Sequence, residues 1–319
     1  MSCIVVTGGA GFIGRSLIPY LALKGYEISS LDIYTAPLED LAKKYGERIK
    51  LVQGDSSEIT DLLSAVEICS SKPIGIIHMA AILSAEAERN PWKAFKFDVM
   101  STAAVLEISR LMRIPKVIFT SSIAAYGASF SGAVSEDMWL PPKSFYGVSK
   151  VFGELWGLRY CERFGLMFRA LRLPAVIGPG RRGGGVSAYA SMMIENAVMG
   201  KPYIVYVDKE VKIPLIYVDD AVRAITIAFE TPGASGIYNI SGISPSPTAW
   251  EIYEALRKRL HRVEIEFKPD PLMTLIARSW PEQLNDEKAR RELGWSPSFN
   301  TIDKVIDAFI ERLASDKNF

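Results

Sequence analysis

Between the apolar run Ile4-Val5-Val6 and a helical stretch from Phe12 to Lys24, the chain reads Thr7-Gly8-Gly9-Ala10-Gly11-Phe12-Ile13-Gly14. No other stretch restricts the possible folds as strongly. A short β-branched run that ends in glycines and opens a helix collects free backbone N–H groups at the positive end of a helix dipole. Such a loop cradles the phosphates of a dinucleotide without a basic side chain. In that reading Gly8 permits the tight turn, Gly11 lets the phosphate approach the backbone, Phe12 and Ile13 supply the helix opening, and Gly14 lets the helix pack on the strand. A glycine-rich turn in a protein without nucleotide has the same local pattern, so the rest of the chain decides.

The rest alternates strand and helix signals. Strands are expected at Tyr26 to Leu31, Ile49 to Gln53, Ile74 to Met79, Lys116 to Thr120 and Phe168 to Val176, and a long helix at Pro91 to Met112. This predicts an α/β, Rossmann-type doubly wound parallel sheet, whose ligands lie beyond the carboxyl ends of the strands. At 319 residues and 49% hydrophobic, the chain has enough apolar mass for such a core. Asp32 ends the second strand near the roughly 20-residue offset from the glycines at which a carboxylate meets the adenosine ribose. With Ile33-Tyr34-Thr35 behind it and no arginine to receive a 2′-phosphate, the expected cofactor is NAD. In Gly54-Asp55-Ser56-Ser57, Asp55 either accepts from the adenine amino group or caps the helix beginning near Glu58. Met79, Ala80 and Ala81 leave room for cofactor at the end of the fourth strand, and His78 reads as a satisfied core histidine.

Several classes are disfavoured. A net charge of +1 gives no general attraction to nucleic acid or anionic lipid, and no apolar run reaches membrane-spanning length. The start Met-Ser-Cys-Ile-Val enters the first strand directly, which gives a cytoplasmic expectation. Cys3, Cys69 and Cys161 are odd in number and irregularly spaced, and are expected to be reduced and structural. His78 and His261 stand apart from other ligand types, so no metal is expected.

The chemistry concentrates in Ser144-Phe145-Tyr146-Gly147-Val148-Ser149-Lys150, at the start of a helix running to about Phe164. Four residues apart, Tyr146 and Lys150 share a helix face. An ammonium beside the phenol favours phenolate and would lower the tyrosine pKa toward the range of a general base. Ser122, after the fifth strand, falls on the same active edge.

With these motifs the sequence resembles the extended short-chain dehydrogenase/reductase family, also called the NAD-dependent epimerase/dehydratase family. The resemblance implies Ser122, Tyr146 and Lys150 as catalytic residues, Lys150 doubling as a cofactor ligand. Gly8, Gly11, Phe12, Ile13, Gly14, Asp32, Asp55, Ser56, Met79, Ala80, Ala81, Tyr146, Lys150 and Pro174 would then contact NAD. Within the family the chain is most similar to short-chain-type L-threonine 3-dehydrogenases, through Ala81-Ile82-Leu83-Ser84-Ala85, Arg172-Leu173-Pro174, the glycine run before Tyr189-Ala190, and Ser279-Trp280-Pro281-Glu282. That similarity implies a substrate pocket at Ser84, Ser122, Tyr146, Ser187 and Trp280, oxidation of a small hydroxy compound, and a homodimer through Asp98 to Met112 and Tyr146 to Phe164. Val186, Ser187 and Ala188 stand where those enzymes have two threonines and an aspartate, which leaves the substrate open. The alternative is a nucleotide-sugar 4-epimerase or dehydratase with tightly bound NAD. Against it, Ala175 replaces the usual asparagine and Ile213 the diphosphate-binding arginine.

The expected division is an NAD-binding domain at 1–175, joined by 214–241 through a strand at Gly236 to Ser241, with 176–319 mainly a smaller substrate lobe. Arg181 and Arg182, in the glycine-rich loop after Pro179, are expected to be solvated. Asp219 or Asp220 is expected to cap the helix they open, with further helices near Thr248 to Arg259 and Thr301 to Ala314.

Overall fold

The computed structural model describes residues 1–127, 132–139, 141–182, 185–233 and 235–315. The first half runs β1 (Cys3–Thr7), α1 (Gly14–Leu23), β2 (Glu27–Asp32), α2 (Glu39–Tyr45), β3 (Ile49–Gln53), α3 (Ile59–Glu67) and β4 (Gly75–His78). Helices α4 (Ser84–Arg89), α5 (Pro91–Ala94) and α6 (Ser101–Leu111) then lead to β5 (Lys116–Ser122). The second half contains β6 (Ala133–Val134), α7 (Phe145–Phe164), β7 (Met167–Leu173), β8 (Ala175–Ile177), α8 (Ala188–Val198), β9 (Tyr203–Val205), β10 (Leu215–Tyr217), α9 (Val218–Glu230) and β11 (Gly236–Asn239). It ends with α10 (Ala249–Arg259), β12 (Ile265–Phe267), α11 (Pro271–Arg278), β13 (Gln283–Leu284), α12 (Glu287–Leu293) and α13 (Ile302–Ser315).

Seven strands form one parallel sheet in the order β11-β7-β5-β4-β1-β2-β3. The interior strand β1, Cys-Ile-Val-Val-Thr, is buried along its whole length, as expected for a parallel strand covered on both faces. Strand order reverses between β1 and β4, and the crevice outside the carboxyl ends at such a switch point is where ligands bind in this architecture. Three two-stranded parallel pairs, β8 with β10, β9 with β12 and β6 with β13, organise the smaller second part.

The structure departs from the sequence reading in several places. The expected strand from Phe168 to Val176 is divided at Pro174, which has no N–H for a ladder; β7 stays in the main sheet while β8 pairs with β10. The expected helix from Pro91 to Met112 contains a π-helical turn at Phe95–Met100 between α5 and α6. Neither Asp219 nor Asp220 caps α9. Asp220 instead turns inward and accepts from the N–H groups of Ser298 and Phe299 at 3.0 and 2.8 Å. Cys3 and Cys69 form a disulfide, correcting the expectation of three reduced cysteines, and Cys161 is free. Parallel packing of the Ile74 segment beside β1, with Ile74 N–H on the Cys3 carbonyl at 2.8 Å, brings the end of α3 back to the first strand. No described helix is long and apolar enough to cross a membrane.

Candidate active site

The glycine loop runs from the end of β1 into α1. Gly8 has a φ of 71°, and a Cβ there would lie 2.6 Å from the Ala80 nitrogen, so the loop touches the segment after β4. Steric demand at the other positions is distributed differently from the sequence reading. A Cβ on Gly14 would strike the Gly9 backbone, whereas it is Gly9 whose Cβ would collide with Ser30 and Ile18 between strand and helix. The Asp32 carboxylate closes the loop from the next strand, accepting from Ala10 N–H at 3.0 Å and Tyr34 N–H at 3.2 Å.

The side chains proposed for chemistry come from α7 and β5. Ser144 caps α7 by accepting from Gly147 N–H at 3.0 Å, so Tyr146 and Lys150 occupy the first turns. Gly147 lies against the Ala124 carbonyl and leaves no space for a Cβ, which holds the start of the helix against the end of β5. Tyr146, Lys150 and Ser122 all line one cleft of about 260 Å³. The same cleft collects Gly8, Gly11, Phe12, Ile13, Gly14, Met79, Ala81 and Pro174, and also Ser84, Ser187 and Trp280. Ala80 supports it through the contact with Gly8. Asp32, Asp55 and Ser56 lie outside the lining.

Asp55 accepts from Ser57 N–H at 2.8 Å and Ser57 hydroxyl at 2.7 Å, and pairs with Lys96 at 3.2 Å. It thus shapes the turn before α3 and does not cap that helix. The Ser56 hydroxyl is buried against Ser101, 2.6 Å away. His78 is a satisfied core residue between the hydroxyls of Thr7 and Thr102, at 2.6 and 3.1 Å, and burial with the nearby Lys150 charge pushes its pKa down to about 3.

Electrostatics in the cleft correct one expectation. Burial, followed by the Asp98 carboxylate, raises the Tyr146 pKa, against the opposing influence of the Ser122 hydroxyl and Arg181. The Lys150 ammonium lies over the Tyr146 ring, 5.2 Å from its centroid, and over Phe119 at 4.8 Å. A cation on the ring face does not offset loss of water around the phenol. Burial also lowers Lys150 to about 8, while Asp98 and Glu154 favour its charged form.

Three features escaped the sequence reading. Asp98, on the π-helical turn, accepts from Ile82 N–H at 2.8 Å and Ser149 hydroxyl at 3.3 Å, tying the segment after β4 to α7. Its π-helical setting carries a structural signal common at functional sites, but a 3.6-residue repeat conceals it. Beneath the cleft, Glu154 takes both arms of Arg172 at 2.8 and 2.7 Å and the Ser121 hydroxyl at 2.5 Å, a rigid support shared by α7, β7 and β5. Finally, Arg181 is half-buried and turned into the cleft, where the sequence reading expected a solvated side chain. It lines the cleft and donates to the Val176 carbonyl and, at 2.9 Å, to the Ser187 hydroxyl, whereas Arg182 is exposed and pairs with Glu195.

A cradle that glycine alone can occupy, at the switch point of a parallel sheet, with two cationic side chains in the adjoining cleft, fits a dinucleotide. The model of the NAD dependent epimerase/dehydratase family matches residues 4–241. The chain belongs to that family. An uncharacterized epimerase/dehydratase of Staphylococcus saprophyticus is 32% identical over 94% of this chain and 93% of its own. The mitochondrial L-threonine 3-dehydrogenase of Bos taurus is 29% identical over 95% of this chain and 80% of its own. Among solved structures, the GalE-like L-threonine dehydrogenase of Cupriavidus necator superposes with a TM-score of 0.88 at 28% identity, covering 97% of this chain and 99% of that one. The cofactor of this family is NAD, and the glycine cradle suits it.

Proposed function

We propose that the protein oxidises the secondary alcohol of a small hydroxy compound, in the manner of an L-threonine 3-dehydrogenase. The observation that carries this reading is the meeting of Ser122, Tyr146 and Lys150 with the glycine loop in one cleft. Tyr146 takes the hydroxyl proton as phenolate, Ser122 holds the reacting oxygen by a hydrogen bond, and the Lys150 charge favours the deprotonated phenol. NAD, when bound, supplies what the side chains lack, acceptance of a hydride from the carbon that bears the oxygen. The raised Tyr146 pKa marks the work left to Lys150 and the bound cofactor in stabilising the phenolate.

The glycine loop at Gly8, Gly11, Phe12, Ile13 and Gly14 holds the pyrophosphate, and Asp32 and Lys150 hold the two riboses. Asp55 and Ser56 flank the adenine end, while Met79, Ala80, Ala81 and Pro174 flank the cofactor. Residues 1–175 with 214–241 carry NAD, and 176–319 mainly close over the substrate at Ser84, Ser187 and Trp280. The protein acts in the cytoplasm as a homodimer. Exposed Trp92, Phe95, Leu111, Trp156 and Phe164, on or beside the helices from α5 to α7, support that assembly.

At position 213 a fully buried isoleucine offers no charge to a nucleotide-sugar diphosphate. The test is a panel of L-threonine, other 3-hydroxy acids, hexuronates and UDP-hexoses with NAD, followed by NADH absorbance. Steady NADH formation with a small hydroxy acid is expected. Conversion of a UDP-hexose with no net NADH would replace this reading with epimerisation.

A further inference from the structure

We propose that the Arg181 guanidinium binds the carboxylate of the substrate, and that the substrate is a hydroxy acid without a free amino group. The proposal rests on the oxidoreductase reading and specifies the substrate class of the same site. Among the described residues lining the cleft, the charged side chains are Lys150 and Arg181, and there is no aspartate or glutamate. Such a lining matches an anion and gives an ammonium group no carboxylate to meet.

Arg181 makes no ion pair among the described residues, unlike its neighbour Arg182. A guanidinium carries five N–H donors, and two donations, to the Val176 carbonyl and the Ser187 hydroxyl, leave the rest available. Burial lowers its pKa only to about 10, so the group is charged at neutral pH. A half-buried cation without an acidic partner among the described residues is stabilised by an anionic ligand, most effectively by the planar fork of a carboxylate. Its partner Ser187 lines the same cleft as Ser84 and Trp280. The Arg181 charge also acts on Tyr146, so a bound carboxylate would sit within the electrostatic reach of the reacting oxygen.

The competing anion is the cofactor pyrophosphate, because Arg181 also lies 5.9 Å from the Phe12 ring centroid. Titration of the full-length protein in its NADH complex separates the two. Butyrate is expected to bind about tenfold more tightly than butyramide and than zwitterionic L-2-aminobutyrate, the scale of one lost charge-assisted contact. In Arg181→Met that preference should vanish while NADH affinity changes by less than about threefold, and Arg181→Lys should restore part of it. Equal affinities for butyrate and butyramide in the native protein would overturn the proposal. So would tighter binding of the amino acid than of butyrate, or an Arg181→Met variant that loses NADH tenfold. A panel silent for NADH formation beside a retained butyrate preference would sink the oxidoreductase reading and leave the anion site standing.

Discussion

Lys150 should cost the protein stability, and replacing it with methionine tests that directly. The side chain is 3% exposed, and its nearest aromatic surfaces are the Phe119 and Tyr146 rings. Burial lowers its pKa from 10.5 to about 8, which corresponds to about 3 kcal/mol against the folded state while the amine is charged. Methionine keeps most of the apolar stem and removes the charge. Loss of favourable interactions with Asp98 and Glu154 is already contained in the net shift, and both carboxylates keep their other hydrogen bonds. At about 2.1 cal/mol/K of unfolding entropy per residue, 3 kcal/mol in a chain of this length is a rise of roughly 4 °C in Tm. The folded state holds fewer protons than the unfolded state between pH 8 and 10.5, so wild-type stability rises with pH across that window. Lys150→Met lacks this rise. Thermal unfolding followed by circular dichroism without NAD should therefore find the variant more stable below pH 8, with the gap closing toward pH 10.5. A variant that melts at or below the wild type at pH 7, or a gap that ignores pH, would refute the reasoning.

Two further perturbations address the frame. Replacing both Cys3 and Cys69 with serine opens a bridge spanning 66 residues, and should cost up to about 4 kcal/mol in denaturant titration if unfolded-chain entropy dominates; an unchanged midpoint would contradict it. Glu154→Gln leaves the buried Arg172 without its bidentate carboxylate, and is expected to cost about 3 to 5 kcal/mol by the same titration, with a loss under 1 kcal/mol contradicting the assignment.

Legibility from sequence followed the range of the interactions. The glycine loop and the pair Tyr146 and Lys150 announce themselves because their geometry is set within one turn or one helix face, and Asp32 because its offset from the glycines spans a single strand–helix–strand unit. The parallel, doubly wound character of the sheet followed from the alternating pattern, and the strand expected at Gly236 to Ser241 returns to the main sheet as Gly236–Asn239, beside β7. Arg181 and Arg182 could not be separated by sequence, since their opposite directions depend on Ser187 and Val176 for one and Glu195 for the other. Asp98 was concealed for a similar reason: its partners Ile82 and Ser149 lie on other segments. The Cys3–Cys69 bridge arises from the sheet's winding and has no spacing signature. Tyr146 was read with the right neighbour but the wrong electrostatic balance, because burial cannot be seen in a heptapeptide.

The central claim is that Tyr146 is the general base of an NAD-linked alcohol oxidation. It is tested most directly by comparing Tyr146→Phe with the native protein on the best hydroxy acid from the panel, recording kcat by NADH absorbance and NADH affinity by fluorescence. The account predicts a fall in kcat of about two to four orders of magnitude with NADH affinity nearly unchanged. Full turnover by the variant would contradict it.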